Sequence, residues 1–113
     1  MKKKRLSAKL KHLIVFYLLG EVEDGNGGFI DGMSEFYRCR AGIWPISSKE
    51  TIENKREGVK ITHKIRIRYY PGILEKMVIE FTKNGNTRKF EIKSIINPDE
   101  ANRFLDMVCI ENV

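Results

Sequence analysis

Thr62-His63-Lys64-Ile65-Arg66-Ile67-Arg68-Tyr69-Tyr70-Pro71-Gly72 is the stretch from which the fold is read. Ile65, Ile67 and Tyr69 share one face, with Ile61 and His63 ahead of them, while Lys64, Arg66, Arg68 and Tyr70 share the other. A period of two is that of a half-buried β-strand, and β-branched and aromatic side chains suit its pleated surface. Pro71 fixes one turn dihedral and Gly72 admits the positive φ that follows it. Val59 to Tyr70 therefore reads as one long strand closed by a turn.

Downstream, Met77-Val78-Ile79-Glu80-Phe81 alternates again and runs into Asn84-Gly85, a strong hairpin signal. Phe90-Glu91-Ile92-Lys93 opens the return strand, which continues through Ile95-Ile96. Asn97-Pro98-Asp99-Glu100 places proline second in a type I turn. Arg103 to Glu111 forms the last strand, apolar on both faces through Phe104, Leu105, Met107, Val108, Cys109 and Ile110.

Upstream, Ser47-Ser48-Lys49-Glu50 is a capping box that starts a short, polar surface helix, which Gly58 ends after about Glu57. Before it, Phe36 to Ile46 is a strand in which Tyr37, Cys39, Ala41 and Ile43 alternate with Arg38 and Arg40, closed by Trp44-Pro45. Residues 12 to 19 form the first strand, with Leu13, Val15, Tyr17 and Leu19 on one face and Ile14, Phe16 and Leu18 on the other. Between these two strands the character changes. Gly20 to Glu35 holds five glycines, five acids (Glu21, Glu23, Asp24, Asp31, Glu35) and no cation. Glycine is entropically expensive to order and like charges repel, so this is a mobile acidic loop or a long hairpin with Asp24-Gly25-Asn26-Gly27 at its tip. Its acids lack the ligand spacing of an EF-hand calcium loop.

Composition bounds the rest. A chain of 113 residues makes one domain with a single modest core. The net charge of +6 is a property of the leader, residues 1 to 11. Its six cations are Lys2, Lys3, Lys4, Arg5, Lys9 and Lys11, and 21 basic residues less these six leave 15 against 15 acids. The apolar run Leu13 to Leu19 behind that leader imitates a secretory signal, but it contains Tyr17 and no small-residue cleavage site follows. It is also too short to span a bilayer. Cys39, Cys109, His12 and His63 show no paired spacing for zinc, so two reduced buried thiols and no cofactor are expected. His63, on the apolar face of its strand, reads as a satisfied core histidine. No nucleophile–base set, P-loop or HExxH is present, so no catalytic residue is nominated.

The expected architecture is mainly β: a small six-stranded antiparallel barrel or rolled sandwich, residues 1–113, with one short helix and the mobile acidic loop at 20–35. The first and last strands carry apolar residues on both faces, yet so small a chain has one interior. Self-association follows, since monomers seldom expose broad apolar patches.

Thr62 to Tyr69, Pro71-Gly72-Ile73, Met77 before a strand, Phe90-Glu91-Ile92 after a tight hairpin, Asn97-Pro98-Asp99-Glu100, and Leu105, Met107, Cys109 and Glu111 together resemble the head-tail joining proteins of long-tailed bacteriophages and prophages, also called head-closure or stopper proteins. Leu10-Lys11-His12, Ala41, Pro45-Ile46-Ser47 and Glu50 fall in register with the same family, so the likeness covers nearly the whole chain. Arg40 stands where that family commonly has tryptophan, and Trp44 where a polar residue is usual.

The resemblance implies a non-enzymatic virion protein, made in the host cytoplasm and free of membrane. It implies a homo-oligomeric ring, usually twelvefold, below the portal and adaptor and above a tail-completion protein, with packaged DNA in its channel. Asp24, Gly25, Asn26, Gly27, Gly28 and Phe29 are the candidate channel-closing loop. Lys64, Arg66, Arg68 and Tyr70 are the candidate face for subunit or DNA contact. The competing expectation is a small basic β-barrel that binds nucleic acid through the leader and those cations.

Overall fold

The computed structural model describes residues 10–46 and 62–112. Six strands run through them: β1 (His12–Glu23), β2 (Phe29–Pro45), β3 (His63–Arg68), β4 (Val78–Lys83), β5 (Asn86–Ile96) and β6 (Phe104–Asn112). They close into an antiparallel barrel in the order β1-β2-β3-β6-β5-β4. Closure leaves the barrel without a free sheet edge. The expected helix over 47–57 and most of the basic leader lie outside the described residues. None of the described helical segments is long and apolar enough to cross a membrane.

The alternation in the chain becomes inside and outside. Ile14 and Phe16 of β1, Ile65 and Ile67 of β3, Ile79 and Phe81 of β4, Phe90 and Ile92 of β5, and Leu105, Met107 and Cys109 of β6 form one buried cluster, with Ala41 and Met77. Asn84 (φ 54°) and Gly85 (φ 81°) both take left-handed conformations, as a tight type I′ hairpin between β4 and β5 requires. Gly72 at φ 94° does the same after Pro71.

Several expectations are corrected. The strand expected from Val59 to Tyr70 stops short at its far end, and its first residues, 59–61, lie outside the described residues. β3 ends at Arg68, so Tyr69 is exposed and Tyr70 turns onto Tyr37, the ring centroids 3.6 Å apart. At Asn97–Glu100, Asp99 adopts φ 57°, outside the negative φ of a type I turn, and the segment Pro98–Glu100 is a single 3-10 turn. The last strand is not equally bare on its outer face. The guanidinium of Arg66 sits 5.1 Å from the centre of the Phe104 ring and that of Arg103 sits 5.9 Å away, so charged stems shield it. Most of the uncovered apolar surface lies instead on β1 and β2, at Leu13, Leu19, Phe29, Ile30 and Met33, with Tyr69, Leu74 and Ile96 exposed elsewhere.

Residues 20–35 are not the long loop of the expected architecture but take the hairpin form that was its alternative. They are the outer half of one long hairpin, with Leu19 opposite Met33, Glu21 opposite Asp31 and Glu23 opposite Phe29. A bulge between Phe16 and Tyr17, opposed by Glu35 to Tyr37, marks its root. Bulges bend and twist a strand. Here the ladder to β4 also stops, at Tyr17 opposite Val78. Beyond it the two strands pair only with each other and project from the barrel as a ribbon. The overall extents of 60 × 34 × 33 Å and a radius of gyration of 15.7 Å reflect that projection, since an evenly packed chain of this length has about 13 Å.

Candidate functional site

The ribbon begins as sequence dictates. From His12 to Tyr37 there is no lysine or arginine. Leu18 continues the inward parity of Ile14 and Phe16 and packs on the core, but beyond it there is no barrel left to cover either face. Leu19 is 53% exposed, Phe29 64%, Ile30 56% and Met33 39%. One face alternates apolar and acidic side chains: Leu19, Glu21 and Glu23 on β1 beside Met33, Asp31 and Phe29 on β2. On the other face Val22 lies against the backbone of Gly32, where a methyl group would meet its Cγ2 at 2.7 Å. At the root, Glu35 is tied to Arg38 at 2.8 Å.

The candidate loop residues come together at the tip. The Asp24 amide donates to the Gly28 carbonyl at 3.1 Å. The Asp24 carboxylate accepts from the amides of Asn26 (2.7 Å) and Gly28 (3.0 Å), and Gly25 and Gly27 take φ of 84° and 85°. Glycine makes those two conformations inexpensive, and the aspartate closes the turn as an Asx motif. Those two amide hydrogen bonds hold the Asp24 carboxyl below the usual carboxylate range. A depressed pKa means that the turn is stabilised above the ordinary aspartate value of about 3.9 and loosens as pH falls through the folded value. The Asn26 and Gly28 amide resonances are therefore expected to move together in that acid range. Flat shifts for both would rule the latch out.

The second predicted group divides. Lys64, Arg66 and Arg68 lie outward on β3, and Tyr70 is not with them. Arg66 makes a two-pronged contact to Asp106 on β6, with Nη2 to Oδ2 at 2.7 Å, and Lys64 Nζ lies 3.7 Å from the same carboxylate. Burial pushes the Asp106 carboxyl up, but the hydrogen bonds of Arg66 and the charges of Lys64 and Arg66 outweigh it and hold it low. Arg68 has no ion-pair partner among the described residues. It faces Arg40 across a cleft of about 220 Å³ lined by Leu10, Tyr37 and Cys39, where β2 parts from β3 after the Ala41–Ile67 pair.

The reading by alternation missed this cleft, because tertiary closure creates it from three separate segments. It also missed Trp44. That indole lies over Gly42, which is buried, and a Cβ at 42 would overlap the ring. The signal was present: Gly42 and Trp44 are two apart and share a strand face.

His63 has partners on both ring nitrogens, Thr62 Oγ1 at 3.0 Å and Arg88 Nη2 at 3.3 Å, and meets the Phe90 ring edge-on. Burial pushes its pKa down. Burial also raises the thiols, Cys39 to about 11 and Cys109 to about 12, so both are protonated and poor nucleophiles near neutral pH.

The comparisons with known proteins fit this geometry. The solution structure of protein SF1141 from Shigella flexneri 2a is similar at a TM-score of 0.72 and 26% identity, covering 96% of this chain and 97% of that one. No curated protein matches the chain. A family model described as phage head completion protein matches residues 6–112. The match spans the barrel, the ribbon and the cleft, and the chain belongs to the phage head completion protein family.

Proposed function

We propose that the chain forms a ring of identical copies, twelve when assembled, at the vertex where head meets tail. The ring docks below the portal and its adaptor, retains packaged DNA, and presents a platform to a tail-completion protein. Membership of a head completion family makes the chain a structural part of the virion. The observation that carries the finer reading is the acidic ribbon standing clear of a closed barrel. A two-stranded ribbon alone is at best marginally stable, and its exposed apolar side chains favour contact with another protein. Its carboxylates repel DNA phosphate, so a circle of tips pointing into a channel resists the exit of the duplex.

The nucleic-acid reading is not supported. Asp106 engages Lys64 and Arg66, two of the three β3 cations that would meet phosphate.

Deleting Gly25 to Gly28, which leaves Phe29 in place, tests the proposal. The deletion falls at the tip, beyond the last β1–β2 pair of Glu23 with Phe29 and outside every ladder, so the barrel is expected to fold. Heads assembled with this variant are expected to lose packaged DNA, measured as nuclease-sensitive genome after packaging. Full retention of DNA by such heads rejects channel closure by the tip.

A further inference from the structure

We infer that Phe29 of one copy seats in the Arg40–Arg68 cleft of the next, joining copies tip to base. This contact names the interface within the proposed ring and does not depend on how the channel closes.

The cleft is about 220 Å³, smaller than the roughly 300–1,000 Å³ of ordinary small-molecule sites and suited to one side chain. Its floor is apolar, from Leu10, Tyr37 and Cys39, and its rim carries Arg40 and Arg68. Arg40 gives one hydrogen bond, to the Lys11 carbonyl at 3.2 Å, and Arg68 has no ion-pair partner among the described residues. Phe29 is the most exposed large apolar side chain described, at 64%. It stands opposite Glu23, with Asp31 two residues along the same face.

An aromatic ring bracketed by carboxylates thus matches an apolar slot bracketed by guanidiniums, and such pairs form two-pronged hydrogen bonds. No cation occurs between His12 and Tyr37 to oppose the fit. The ribbon cannot fill its own cleft, because eight residues of extended strand put Phe29 roughly 25 Å from Tyr37. Repeated head to tail, a tip-to-base contact is heterologous and generates a ring or a helix, whereas its reciprocal exchange between two copies gives a two-fold pair. The Asp24–Gly28 turn stays free to face the channel.

Glu23, Asp31, Arg40 and Arg68 are all exposed, so charge reversal tests the contact with little risk to the barrel. Heads lacking the chain are titrated with full-length protein, and ring-bearing heads are counted by electron microscopy. Glu23→Arg with Asp31→Arg, or Arg40→Glu with Arg68→Glu, is expected to raise the concentration for half-occupancy by roughly tenfold or more. A chain carrying all four substitutions is expected to recover most of that loss. An unchanged titration for either pair, or no recovery with all four, overturns this contact while leaving the ring in place. Absence of rings with the wild-type chain overturns both this contact and the ring.

Discussion

Phe90→Ala is expected to lower the unfolding free energy by about 3–5 kcal/mol, the usual range for removing a buried phenylalanine. Phe90 is fully buried, paired with Ile79 on β4 and with Glu111 on β6, and its ring is met edge-on by His63 at 5.2 Å. It therefore touches three strands of a barrel that has one interior. The lost area and the residual cavity add, because neighbours held in closed ladders collapse only partly into the gap. A domain of this size holds about 5–15 kcal/mol in all, so the variant sits near the edge of folding. Thermal denaturation followed by circular dichroism is expected to show a drop of roughly 10–30 °C. A drop of only a few degrees would mean that Phe90 is not in the interior.

Asp106→Ala is expected to destabilise by about 2–4 kcal/mol, more than the loss of an exposed ion pair. The Asp106 and Arg66 side chains are 13% and 18% exposed, so the truncation leaves a partly desolvated guanidinium beside Lys64 with nothing to neutralise it. Replacing both partners, as Arg66→Met with Asp106→Leu, is expected to recover most of the loss, because no stranded charge remains. Denaturant midpoints of the two single variants and the double variant close the cycle. A double variant as weak as Asp106→Ala would show that the pair itself, and not the orphaned charge, sets the effect. The wild-type pair also predicts acid sensitivity. The Asp106 carboxyl is held low, so its contribution is full above the ordinary carboxylate pKa and disappears as pH falls through the folded value.

Much of the barrel was legible in the chain because a strand's faces follow a period of two. Ile65 and Ile67, Ile79 and Phe81, Phe90 and Ile92, and Leu105, Met107 and Cys109 declare their side of the sheet with no knowledge of the partner strand. Asn84-Gly85 and Pro71-Gly72 are equally local, since their left-handed conformations belong to the turn alone. The family resemblance was legible for the same reason, as it rests on those strands and turns.

Other features depend on what lies across the sheet. Tyr69 continued the apolar alternation, yet the β3 ladder ends at Arg68 and leaves it outside. Lys64 and Arg66 looked like a free basic face until closure set Asp106 against them. The acidic glycine-rich segment was compatible with a loop or a hairpin, because glycines and like charges weaken both and only the register between β1 and β2 distinguishes them.

By itself, the sequence determined an all-β chain with its interior residues, its Asn84-Gly85 and Pro71-Gly72 turns and its family, since each is written in neighbours a few positions apart. The tertiary structure alone decided that the ribbon leaves the barrel after Tyr17 and that Arg40, Arg68 and Tyr37 enclose a cleft. Both arise where one ladder stops pairing with the next, and that depends on residues distant in the chain.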